Sequence, residues 1–234
     1  MSFDFTKENM NTFFKDLGKE FRRLNGTKMR AEIVLIGGGS VLANYNFRDM
    51  TNDMDAVIHA LSVMKEAILY VSDKHNLPSD WLNTNFKKTD SFSKKLEEVS
   101  IYYRTFSNIL EVRTVAAEYL IAMKLKSGRQ YKNDLSDIVG ILWEHKNRGE
   151  SITREKINNA LLKLYGDTQL SDISMKLLDI VYSNEDFESA YNNYRESEKE
   201  AKNILLEFNE KYPGELKGEN ISDIIERIRS SRNV

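Results

Sequence analysis

Residues 37–55, GGGSVLANYNFRDMTNDMD, hold the side chains of this chain best suited to chemistry. Gly37, Gly38, Gly39 and Ser40 follow an apolar run and precede a short helical segment. Glycine lets backbone approach a phosphate closely, and the start of a helix offers free N–H groups and a positive dipole end. Ser40 adds a hydroxyl that can donate. Asp53 and Asp55 stand two apart in DMDAVI, read as a strand over 53–58, so both carboxylates face one way while Met54, Ala56 and Ile58 face a core. Two like charges side by side on a strand repel, and a divalent cation such as magnesium removes that cost through hard oxygen ligands. Between turn and acids lie Arg48 and Thr51, which either bind triphosphate oxygens or order the turn. A phosphate turn followed by paired carboxylates is the order that two-metal nucleotidyl transfer requires. The alternatives are a ligand-free strand-to-helix turn and a solvated strand end.

These residues need a strand ahead of the glycines and another at the acids. AEIVLI (31–36) is a continuous β-branched run and reads as the buried first strand. Residues 5–24 read as an amphipathic helix carrying Phe5, Met10, Phe13, Phe14, Leu17 and Phe21, and 61–74 returns to helical periodicity. The polar stretch 78–96 reads as loop plus short helix. IYYRTF (101–106) and ILEVRTV (109–115) read as strands joined at Ser107-Asn108 in a hairpin. Helices are expected at 117–127, 133–147, 153–164, 171–182, 185–210 and 221–228. The fold class is α+β: a small mixed sheet with flanking helices in a core over residues 1–115, then a helical half over 116–234 packed on that core, with no Gly/Ser/Pro linker between them.

Bulk composition narrows the chemistry. The 234 residues are 41% hydrophobic, enough for a real core, and the net charge is only -2 despite 30% charged residues. No global basic field advertises nucleic acid. Cysteine is absent, which excludes disulfides, thiolate zinc sites and thiol nucleophiles. His59, His75 and His145 are far apart and show no zinc or catalytic-relay spacing. The glycines fit neither G-x-G-x-x-G, because position 42 is leucine, nor a P-loop, because no Gly-Lys-Ser/Thr follows. No apolar run spans a membrane, and the first residues do not read as a signal peptide, so a cytoplasmic protein is expected.

The stretch GGGSVLANYNFRDMTNDMDAV resembles the Gly-Gly/Gly-Ser and Asp-x-Asp signature of the nucleotidyltransferase (polymerase β-like) superfamily. More narrowly it resembles bacterial nucleotidyltransferase-like proteins related to AbiEii toxins, including the DUF6036 group. AAEYLIAMKLKSGRQYKNDLSDIVGIL (116–142) resembles that family's helix with a lysine, followed by an arginine and paired aspartates. The resemblance implies magnesium held by Asp53 and Asp55, an NTP cradled by Gly38, Gly39 and Ser40, and charge neutralised by Arg48, Thr51 and Lys124. It implies an acceptor hydroxyl on RNA, such as tRNA, or on a protein, and a setting in a toxin–antitoxin or phage-defence pair with an antitoxin partner. A non-catalytic nucleotide- or partner-binding module of the same fold is the alternative.

The residues of the second segment speak for themselves in one respect. Ala117, Leu120, Ile121 and Lys124 share a helical stripe, so Lys124 is aimed at the protein, facing phosphates or snorkelling to an edge. Asp134 and Asp137 share a helix face and either support Lys124 or Arg129, act near the metal, or favour the helix dipole. Glu111 is the best-placed third carboxylate, and a salt bridge to Arg113 explains it equally well. RESEKEAK (195–202) reads as a solvated helical face.

Overall fold

The computed structural model describes residues 3–27, 29–60, 62–184 and 186–232. Residues 61 and 185, the expected first residues of two helices, lie outside these. The class is α+β, as expected: a mixed sheet with flanking helices and a helical C-terminal half. The chain divides into two compact units. One is Met1–Met123 with Ile152–Gln169, and the other is Lys124–Ser151 with Leu170–Val234. Among the described residues no helix is long and apolar enough to cross a membrane.

The first unit opens with β1 (Phe5–Thr6) and α1 (Lys7–Asn25). The helix starts later than the apolar pattern implies because Thr6 and Asn9 close a capping box, with Asn9 Oδ1 accepting from Thr6 N–H at 2.9 Å. Then come β2 (Ala31–Leu35), α2 (Gly37–Asn44), β3 (Met50–Thr51), β4 (Met54–His59) and α3 (Val63–His75). The polar stretch that follows holds a two-residue strand, β5 (Leu82–Asn83), and two short 3-10 turns. β6 (Ser100–Phe106) and β7 (Leu110–Val115) form the expected hairpin. Ser107 and Asn108 both take positive φ, 52° and 58°, the conformation that a tight hairpin turn demands.

The five-stranded sheet runs β5-β4-β2-β7-β6. β2 pairs antiparallel with β4 and parallel with β7, and β4 pairs parallel with β5. Period-two alternation explains its two faces. Ile33 and Leu35, Met54 and Ala56, and Leu110 and Val112 are buried in one cluster with Phe13, Phe14, Leu17 and Phe21 of α1 and Met64, Ala67 and Val71 of α3. Glu32, Asp55, Glu111 and Arg113 belong to the opposite face by the same register. That face also carries the buried Val34 and Val57. The first turns of α4 (Ala117–Ser127) and α6 (Arg154–Tyr165) complete this unit. Ser93 Oγ–H donates to Leu164 O at 2.8 Å and Tyr165 O–H donates to Ser91 O at 2.8 Å, tying α6 to the segment before β6. Burial pushes the Tyr165 phenol far up.

The second unit is helical: the end of α4 from Lys124, then α5 (Asp134–Asn147), α7 (Asp172–Asn184), α8 (Phe187–Lys211) and α9 (Ile221–Arg232). Ile138, Ile141, Leu177, Leu178, Ala201, Ile204 and Ile225 are buried, as the helical periodicity requires.

Candidate functional site

Sheet register decides where the glycine turn meets the acids. β2 and β4 are antiparallel neighbours, so the end of β2 lies beside the start of β4. Ile36 N–H donates to Asp55 O at 2.9 Å, and the next residue begins α2. Asp55 therefore sits beside the start of that helix. Ile36, the N-cap residue, makes no side-chain capping bond, so the first N–H groups of α2 keep their dipole and donor capacity.

Each glycine has its own reason to be there. Gly37 has φ of +53°, which L side chains rarely adopt. At Gly38 a Cβ would land on Thr51 Oγ1 and lie 3.2 Å from Arg48 Nη2. At Gly39 it would press on Met54 Sδ at 3.2 Å. The bare backbone of Gly38 thus lets the 48–51 loop close onto α2. Within that loop Arg48 Nε donates to Met50 O at 2.9 Å and Arg48 Nη2 donates to Thr51 Oγ1 at 3.3 Å. Thr51 Oγ1 donates to Asp53 O at 3.3 Å. Of the residues singled out in the sequence, Gly38, Arg48 and Thr51 meet, the Asp53 carbonyl is bonded to Thr51, and the Asp55 carbonyl is bonded to Ile36, the N-cap residue of α2.

Three placements differ from the simplest reading of the sequence. Asp53 precedes β4 rather than belonging to it, because its carbonyl closes the turn with Thr51; it is exposed, whereas Asp55 is half-buried. Ser40 is fully buried, and its Oγ accepts from Val115 N–H at 3.2 Å. The hydroxyl fastens α2 to the end of β7 instead of facing solvent. Glu111 stands level with Glu32 and, one strand further, with His59. Asp55 is four residues from His59 along β4, so Glu111 lies about 13 Å down the strands from it. Its carboxylate accepts from Arg113 Nη1 at 2.8 Å, the ion pair that the sequence left as the alternative. The residue directly beside Asp55 is Asn83 on β5, an amide that the polar pattern of 78–96 did not bring to notice.

The donor set sets the kind of cation that fits. Among the described residues no group of three or more His, Asp or Glu side chains is placed to hold a metal ion. Two carboxylates alone do not make a closed cage. They do suit magnesium, which keeps much of its shell as water and phosphate and takes one or two protein carboxylates.

The second unit holds the other group of predicted residues, and they form a buried network. Lys124, only 5% exposed, places Nζ 3.2 Å from Asp134 Oδ1 and 2.8 Å from Asp137 Oδ2. Arg129 Nε donates to Asp134 Oδ2 at 2.8 Å. Burial works to raise the Asp134 carboxyl, but the charges and hydrogen bonds of Lys124 and Arg129 outweigh it and hold it below its ordinary value. Of the readings open for the two aspartates, support of Lys124 and Arg129 is the one this geometry displays. The ammonium of Lys124 is occupied by carboxylates of its own unit.

Glu198 joins the same network. RESEKEAK reads as a solvated face, yet Glu198 is 3% exposed. From α8 its carboxylate accepts Leu135 N–H at 2.7 Å, Ser136 N–H at 3.3 Å and Ser136 Oγ–H at 2.5 Å, capping the start of α5. Burial, aided by the charge of Asp137 and opposed by these bonds, pushes its carboxyl up to about 8. No sequence pattern marks Glu198, because only the approach of α5 distinguishes it from its solvated neighbours.

The sequence model of one family, described as "Nucleotidyltransferase of unknown function (DUF6036)", matches residues 12–144. No curated protein and no solved structure matches the chain.

Proposed function

Because the chain belongs to the DUF6036 family of nucleotidyltransferases of unknown function, we propose that its first unit binds an NTP with magnesium and transfers the nucleotide to a hydroxyl. The observation that carries this reading is the convergence of the uncapped start of α2, the Gly38 contact with Arg48 and Thr51, and Asp53 and Asp55 beside them. The free N–H groups of α2 and the Arg48 guanidinium bind phosphate oxygens. Asp53 and Asp55 hold the cation, which supplies charge neutralisation at the phosphates when bound. Arg48 stabilises the charge that develops as pyrophosphate leaves. The acceptor is an RNA, such as tRNA, or a protein, and the setting is a toxin–antitoxin or phage-defence pair with an antitoxin as partner; these finer assignments rest on the resemblance of the two sequence segments.

One observation favours a second reading. The two aspartates have no third acidic or histidine ligand grouped with them among the described residues, and Glu111 is engaged by Arg113 at a distance along the sheet. A site with two carboxylates can bind a nucleotide without activating an attacking hydroxyl. Labelled NTP is incubated with total RNA and protein in the presence of wild type or an Asp53→Asn, Asp55→Asn double variant. Transfer by the wild type alone supports the enzyme. Equal transfer by both ends that reading, and magnesium-dependent NTP binding without transfer supports the binding module.

A further inference from the structure

The two aspartates are anchored in different ways. Asp55 lies within β4, its carbonyl bonded to Ile36 N–H and its neighbour on β5 being Asn83. Asp53 lies outside the strand, and its place depends on what holds Asn52 and Thr51. Both are held by residues 3–6. β1 pairs antiparallel with β3, Phe5 opposite Thr51 and Thr6 opposite Met50. Asn52 Nδ2 donates to Asp4 Oδ1 at 2.7 Å and to Phe3 O at 3.3 Å. Phe5 is buried in the core and Thr6 caps α1, so this short segment is itself fixed.

We propose that Asp4 and Asn52 form a clasp that positions Asp53 for the cation and phosphates, an inference that rests on the nucleotide reading above. Neither side chain touches a ligand; both act through the backbone around Asp53. The clasp leaves Asp55, which the sheet holds, where it is. The site thus has one carboxylate set by the sheet and one set by the segment ahead of α1.

The test uses the full chain with manganese and ATP as probes, bound manganese being followed by electron paramagnetic resonance. Wild type binds Mn2+ with ATP. Asp4→Ala and Asn52→Ala weaken that binding by about threefold to tenfold, the range expected for one hydrogen bond. Asp4→Asn keeps an oxygen that accepts from Asn52 and binds as the wild type does. Thermal unfolding is read in parallel. Variants that melt earlier yet bind with wild-type affinity overturn the clasp, as does an Asp4→Asn variant impaired as badly as Asp4→Ala. A wild type that binds no Mn2+ with ATP overturns the nucleotide reading itself, and the clasp with it.

Discussion

Replacing Glu198 with glutamine should remove a pH dependence that the wild type shows. The carboxyl moves from an ordinary 4.5 to about 8 on folding. Below about 4.5 both states carry the proton, and burial of a neutral carboxyl costs little. As pH rises the unfolded chain releases its proton first, so the folded state binds more protons than the unfolded one and stability falls. The fall runs from about 4.5 to about 8 and then levels off. Its limiting slope is about 1.4 kcal/mol per pH unit, so the interval from pH 5.5 to 7.5 should cost the wild type roughly 2.5 kcal/mol. Glutamine carries no titrating proton, can still accept Leu135 N–H, and can donate to Ser136 Oγ. Urea unfolding by circular dichroism at several pH values, with amide exchange at Leu135 and Ser136, measures the effect in the second unit. Wild type should lose stability across that interval while Glu198→Gln stays flat, so the variant gains relative to wild type at pH 8. Parallel curves for the two proteins would refute the assignment of a buried, proton-holding carboxyl. Asp134 and Asp16, whose carboxyls are held below their ordinary values, contribute at more acid pH and leave this window clear.

Two further outcomes test the two groups of residues separately. Gly38→Ala forces Thr51 and Arg48 away from α2, and such overpacking costs about 1–3 kcal/mol; calorimetry should show a modest drop in Tm together with loss of magnesium-dependent ATP binding. Lys124→Met removes the ammonium that Asp134 and Asp137 share and leaves Asp134 with Arg129, so the loss is about 3 kcal/mol, the lower end of the cost of removing one partner of a buried pair. Adding Asp137→Asn should recover part of the lost Tm, and a Lys124→Met protein of wild-type stability would contradict the network.

Much of this architecture is legible in the sequence because single periodicities report it. Phe13, Phe14, Leu17 and Phe21 mark the buried side of α1, and Ser107-Asn108 marks a turn in which Asn108 takes a positive φ that asparagine tolerates better than most residues. The site is legible in part for the same reason. Gly38 and Arg48 lie close in the chain, so their meeting is a local event. What escapes is whatever a distant segment decides. β1 and β3 are two residues each, too short to show alternation, and exist because they pair with each other. Glu198 looks like any solvated glutamate until α5 presents its N–H groups. Glu111 has the right chemistry, but its level in the sheet follows from register, which no single strand contains. Ser40 has a hydroxyl suited to phosphate, and only the position of Val115 reveals where it is spent.

The return of α6 to the first unit has a practical meaning for anyone cutting this protein. A fragment ending near residue 115, or at the end of the family match at 144, discards Ile157, Ala160 and Leu161 from the interior and the two bonds that α6 makes to Ser91 and Ser93. The first unit should then be collected as inclusion bodies or as a protease-sensitive chain. The shortest fragment worth expressing for the first unit runs past residue 165, and excising 124–151 demands a designed bridge from Met123 to Ile152 rather than a stop codon.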